Sequence, residues 1–242
     1  MRLLVNFFSP RQYMVYMKVY VLVFCGLLML QSFPVPAQAP GTGNTAIQNY
    51  IAGRNLEANG RTTEANNYYN ETVRICQDEV ARNIANRDTY AAITWALQRQ
   101  KKYRDVISWG ERGIRLYTDE YRVMETMGEA YFYLDDYDRS LAYMQRYTNA
   151  IPQGDRTGMA YFFIGEMYRL RQQYQHADIA YTAAIQLDPS QALWWYRLAQ
   201  VRELAGEYTP SINAYRRVLQ LNPNYPEAGA ALARVQARNT AP

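Results

Sequence analysis

Histidine occurs once and cysteine twice in the 242 residues, and no aspartate or glutamate precedes Glu57. These shortages exclude several kinds of chemistry. Metal sites and nucleophile–base triads need several ligands or partners, and His176 has no second histidine to work with. Its place beside Ala177 in a helix leaves His176 as a surface residue or one with its hydrogen bonds satisfied. Cys25 lies in an apolar N-terminal run, so Cys76 stands alone in the rest of the chain with no intrachain disulfide partner. A lone helical cysteine reads as a small buried hydrophobe. Gly41-Thr42-Gly43 lacks the strand, helix and lysine of a phosphate loop. Asp135-Asp136 sits where a turn between helices is expected, and it lacks the cleft and third group of a general acid–base pair. No catalytic residue, metal or cofactor is therefore expected, and the chain does not read as an enzyme.

Phenylalanine is also scarce, with 7 copies against 23 of tyrosine, which suggests rings that pack while their hydroxyls stay in water. Apolar residues make up 49%, enough for a continuous core. The formal charge of +4 owes three of its basic residues to Arg2, Arg11 and Lys18. Beyond residue 37 the chain carries 23 basic and 22 acidic residues, a balance with no footprint for nucleic acid or an anionic membrane. Lys101-Lys102 and Arg216-Arg217 are short runs at solvent positions rather than a basic groove.

Val19–Leu30 is an uncharged apolar run preceded by Lys18 and followed by Ser32, Pro34 and Pro36. That order is the one found in secretory signal peptides, and the run is shorter than the roughly 20 apolar residues a comfortable span needs. Residues 1–37 are expected to be the leader, with Met17 as an alternative start. Cleavage after Ala37 is preferred to the Ala37-Gln38-Ala39 site, where Pro40 would follow the cut. Leu22-Val23-Phe24-Cys25 approximates a lipidation box but has bulky Phe24 where a small residue is needed. The rival reading is an uncleaved anchor over residues 19–37. The protein is accordingly expected to be exported to the periplasm or cell envelope, or anchored in its membrane. Residues 38–45 read as a Gly/Pro linker ending in Asn44 or Thr45 as a helix cap.

Pro189 and Pro223 stand 34 residues apart, and what precedes them aligns. Before Pro189 come Tyr161, Ile164, Gly165, Tyr168, Ala177, Tyr181 and Ala184. Before Pro223, at the same offsets, come Trp195, Leu198, Ala199, Arg202, Ser211, Tyr215 and Val218. Before Pro152 come Met124, Met127, Gly128, Tyr131, Ser140, Met144 and Tyr147, with a short insertion near Asp155. Two more degenerate units extend the frame upstream. Residues 87–120 keep Tyr90, Ile93, Leu97 and Tyr103 but place Gly110 and Gly113 in the second helix. Residues 46–79 keep Gly53, Leu56, Gly60, Ala65 and Tyr69, and extra residues to Asn86 lengthen the second helix.

Apolar residues three and four apart make one helical face, and the small residues let paired helices approach closely. Each pair leaves an apolar face uncovered, so pairs must stack. A last helix over residues 226–238, with Pro226 in its first turn, supplies the lid. Residues 239–242 form a tail.

The pattern resembles the tetratricopeptide repeat, W-x2-L-G-x2-Y…A-x3-F…P over 34 residues, in a secreted or envelope-located bacterial setting. The resemblance implies an all-α, right-handed α-solenoid of antiparallel helix pairs. It would comprise about five units, over residues 46–86, 87–120, 121–157, 158–191 and 192–225, and a C-terminal capping helix. It also implies a concave groove lined by the first helix of each pair. The matching positions hold Tyr50 and Arg54, then Trp95 and Gln98, then Glu125, Glu129 and Phe132. Phe162, Glu166 and Arg169 follow, then Tyr196, Gln200 and Glu203. Trp95, Phe132, Phe162 and Tyr196 are expected to be exposed partner anchors, and the four glutamates to make the C-terminal half of the groove acidic. The carboxylate-gripping clamp of chaperone-binding members is not matched. The implied role is a scaffold or adaptor that binds another protein. The alternative is an accessory that handles a small apolar ligand beside a solute transporter.

Overall fold

The computed structural model describes residues 45–240, and the leader and linker through residue 44 lie outside them. The described residues form eleven helices: α1 (Thr45–Ala58), α2 (Thr62–Ala81), α3 (Arg87–Arg99), α4 (Tyr103–Leu116), α5 (Tyr121–Tyr133), α6 (Tyr137–Ala150), α7 (Thr157–Leu170), α8 (Tyr174–Leu187), α9 (Ala192–Leu204), α10 (Tyr208–Leu221) and α11 (Ala228–Asn239). α1 to α10 pack as five consecutive pairs, each pair rests on the next, and α11 closes the last against α10. The first helix of each of the first three pairs also packs on the first helix of the following pair, and α7 meets α9 through the Phe162 and Trp194 rings. The architecture is the all-α solenoid expected from the spacing.

The turn inside each pair is the same device five times over. One residue adopts a left-handed backbone: Gly60, Lys101, Asp135, Gln172 and Gly206, with φ between 57° and 79°. The next residue's N–H then donates back to the last turn of the first helix, as in Arg61 to Leu56 O (2.9 Å), Lys102 to Leu97 O (3.0 Å) and Glu207 to Arg202 O (2.8 Å). This Schellman closure satisfies carbonyls that a helix end leaves orphaned.

Small residues set the spacing within pairs. A Cβ added at Gly165 would lie 2.5 Å from the Tyr181 ring, and one at Gly53 would lie 2.7 Å from the Tyr69 ring. Gly110 and Gly113, irregular for the repeat, follow the same logic across different partners. The side chain of Met127, from the next pair, fills the space over Gly110, and the Tyr90 side chain covers Gly113. Ser140 and Ser211 occupy the small position of their second helices. Each hydroxyl donates to the carbonyl it faces, Gly128 O at 2.7 Å and Ala199 O at 2.8 Å.

α2 is 20 residues long against 13 or 14 for its counterparts, as the extra residues before Asn86 suggested. The lid departs from expectation at its start. Glu227 takes a left-handed backbone (φ 65°), so α11 begins at Ala228 and Pro226 stands outside the first helical turn. Ala228, Ala231 and Val235 pack on Ile212, Ala214, Tyr215 and Val218. Cys76 is fully buried, which pushes its thiol up to about 12, and His176 is exposed beside Tyr168.

Candidate functional site: two arginine-rimmed clefts

The excess of tyrosine has a structural use other than the one expected. Tyr69, Tyr181 and Tyr215, each no more than 1% exposed, do not keep their hydroxyls in water. They donate to carboxylates on the first helix of their own pair: to Glu57 (2.7 Å), Glu166 (2.5 Å) and Glu203 (3.2 Å). Glu166 and Glu203 are buried and Glu57 is partly so, and a buried carboxylate is costly unless it is paired and hydrogen-bonded. Here each also faces an arginine: Arg99 to Glu57, Arg169 and Arg197 to Glu166, Arg234 and Arg238 to Glu203.

A cleft of about 250 Å³ opens among the first three pairs. α1 supplies Tyr50 and Arg54, α3 supplies Trp95, Gln98 and Arg99, and α5 supplies Arg122, Glu125, Thr126 and Glu129. Tyr147 and Arg156 complete the lining. The Tyr50 and Trp95 rings lie 5.3 Å apart and are tilted by 33°, and the Arg122 guanidinium sits 5.7 Å from the Trp95 ring. Arg54 donates to the Tyr50 hydroxyl at 3.3 Å and, among the described residues, forms no ion pair.

At the floor, Arg156 donates to Glu125 Oε1 from Nε (3.0 Å) and Nη2 (2.8 Å) and also reaches Glu129. Gln98 Nε2 donates to Glu129 Oε2 at 2.9 Å. Burial, reinforced by the neighbouring Glu129 charge, pushes Glu125 up to about 8, although Arg156 opposes the shift. Burial also works against the Arg156 charge, but Glu125 and Glu129 outweigh it and hold the guanidinium protonated.

A second cleft, of about 280 Å³, is lined by Arg169 of α7, by Gln200, Glu203 and Leu204 of α9, and by Arg234 and Arg238 of α11. Arg234 donates to Glu203 from Nε (2.8 Å) and Nη2 (2.7 Å), and Arg238 adds a bond at 3.2 Å. The Arg234 bonds, assisted by Tyr215 and by the Arg238 charge, lower the Glu203 pKa against its burial.

The residues singled out in the sequence thus divide into three groups. Tyr50, Arg54, Trp95, Gln98, Glu125 and Glu129 meet in the first cleft; Arg169, Gln200 and Glu203 meet in the second. Phe132, Phe162, Glu166 and Tyr196 line neither. Two expectations need correction. Phe162 and Tyr196 are not exposed anchors but are 9% and 8% exposed. Phe162 stacks on Trp194 at 5.9 Å, and Tyr196 meets Tyr215 edge-on at 5.7 Å. Trp95 and Phe132 are half-buried, the latter edge-on to Phe163 at 5.0 Å. Nor is the C-terminal half of the groove acidic. The side chains of Glu125, Glu129, Glu166 and Glu203 are only 5–11% exposed, and each is covered by arginine.

The repeat frame missed Arg156, because it lies in the inserted loop, and Arg234 and Arg238, because α11 read only as a lid. Their signal was an insertion carrying an arginine, and an i, i+4 arginine pair on the cap. Among the described residues no three His, Cys, Asp or Glu side chains gather to hold a metal, and no helix is long and apolar enough to cross a membrane.

A family model for the tetratricopeptide repeat matches residues 160–191 and 195–225, the fourth and fifth pairs. The fourth and fifth pairs are tetratricopeptide repeats, and the three pairs before them repeat the same two-helix form. The fold of the array is shared with the solved structure of MamA, residues 41 to the end, from Desulfovibrio magneticus RS-1. That likeness has a TM-score of 0.57 at 16% identity and covers 77% of this chain and 99% of that one. A MamA crystal structure gives a TM-score of 0.53 at 17% identity, over 78% of this chain and 96% of that one. At these identities the likeness is one of fold alone. No curated protein matches the sequence. Tetratricopeptide-repeat domains are protein-interaction scaffolds, and here the first helices of the repeats supply most of the first cleft and half of the second.

Proposed function

We propose that this chain is a non-enzymatic adaptor of the cell envelope that binds a segment of a partner protein along the face of its first helices. The observation that supports this reading most is the cleft lined by Tyr50 and Trp95, assembled from three successive repeats and presenting large aromatic side chains. Tryptophan, tyrosine and arginine are the residue types that dominate binding at interfaces. The envelope assignment rests on the leader pattern in residues 1–37 and the export it implies.

The test is affinity capture from the envelope fraction with the wild-type chain and a Tyr50→Ala/Trp95→Ala variant. Partner recovery is expected to fall by about tenfold or more, with the helical circular-dichroism spectrum unchanged. Undiminished capture by the folded variant would count against the reading. The alternative, a small apolar ligand, fits the Tyr50 and Trp95 walls but not the four arginines around them.

A further inference from the structure

Resting on that reading, we propose that the partner segment is acidic: its carboxylates meet the arginines of both clefts, and an aromatic or large apolar residue packs against the touching rings of Tyr50 and Trp95. The argument is one of depth. Beyond the leader the chain is balanced, with 23 basic and 22 acidic residues. On the inner face the two signs are separated vertically. Seven arginines and three glutamates line the two clefts.

The glutamates lie underneath, with Glu125 and Glu203 side chains 5% and 8% exposed, while Arg156, Arg234 and Arg238 above them are 49%, 50% and 53% exposed. A partner arriving from solvent meets guanidinium. A guanidinium carries five N–H donors, and a carboxylate on one edge leaves the other edge free for a second. Arg54, hydrogen-bonded only to Tyr50 among the described residues, is free to take one outright. A nucleic acid is disfavoured because its continuous phosphate backbone needs an unbroken basic track, and Glu125, Glu129 and Glu203 interrupt this one.

The test uses fluorescence anisotropy with the full chain and fluorescein-labelled, C-terminally amidated peptides of about twelve residues. One peptide is glutamate-rich around a single tyrosine. The others replace every glutamate by glutamine or by lysine. The glutamate peptide is expected to bind and the lysine peptide not to bind. Raising salt from about 50 to about 300 mM should weaken binding several-fold. Arg54→Gln and Arg238→Gln should each weaken it roughly threefold, and together about tenfold, with the helical spectrum retained.

Equal binding of the glutamine or lysine peptide overturns the proposal. If Trp95→Ala abolishes that binding, the scaffold reading survives while the acidic preference falls. No binding of the glutamate peptide at about 1 mM, or an unchanged affinity in the folded double variant, also overturns it. A single-stranded oligonucleotide that displaces the glutamate peptide more strongly than unlabelled peptide does would assign the face to nucleic acid instead. Amidation removes the terminal carboxylate, so the result reports on side-chain carboxylates alone.

Discussion

At the scale of single residues, the array is governed by how closely paired helices approach. Gly165 is the clearest case, since any side chain there meets the Tyr181 ring, which is itself fixed by its bond to Glu166. Gly165→Leu is expected to cost on the order of 1–3 kcal/mol, read as a lower urea midpoint with an unchanged slope. An unaltered midpoint would mean that the register of this repeat is wrong. This much was legible in the sequence, because a small residue three and four positions from large apolar ones is a pattern in one dimension. What became of the tyrosine hydroxyl was not legible. Tyr181 and Glu166 are fifteen residues apart and meet only because the turn at Gln172 folds one helix back on the other. The same blindness misplaced Phe162 and Tyr196. Helical period assigns a residue to a face, but not the depth to which neighbouring repeats bury that face.

At the scale of elements, Arg–carboxylate pairs span every junction between repeats. Arg99 reaches Glu57, Arg122 reaches Asp88, Arg171 reaches Asp138, and Arg202 reaches Asp178. Most of these have partly exposed partners, and each is worth little by itself. Glu125, beside Glu129 and under Arg156, is different, because it is buried and its own titration is shifted upward. A carboxyl with a higher pKa folded than unfolded binds more protons in the folded state between the two values. Its contribution is therefore complete below the ordinary carboxylate range and is lost as pH rises toward about 8. Glu125→Gln cannot ionise, so the stability difference between wild type and variant should change across that interval, with the wild type losing ground as pH rises. Urea titrations at several pH values would measure it, and a difference independent of pH would exclude the shift. Sequence reasoning placed Glu125 and Glu129 correctly on one face, i and i+4. It gave them the wrong sign of influence because Arg156 lies in an insertion that breaks the repeat frame.

For the whole molecule, stacking is nearest-neighbour, so stability propagates from repeat to repeat and depends on how the ends are covered. α11 covers the fifth repeat with a small apolar face, and Val235 at its centre is fully buried. Val235→Asp should cost roughly 2–4 kcal/mol. Hydrogen exchange should show the loss of protection concentrated in α9, α10 and α11, with α3 to α6 little changed. Uniform loss along the array would contradict nearest-neighbour stacking. The 34-residue spacing made this architecture legible, since each unit is one turn of a repeating structure. The second role of α11 was hidden by its lack of a partner helix in the frame. Arg234 and Arg238 make the lid half of the second cleft, while the opposite half belongs to α7 and α9. The plug and the receptor are thus one part. Shortening the array ahead of residue 226 would strip two of the three arginines from that cleft together with its cover. Conversely, two further repeats with the residues of α7 to α10, spliced in just before the cap, would carry the cleft outward with its lining intact, which makes this end of the protein a transplantable module.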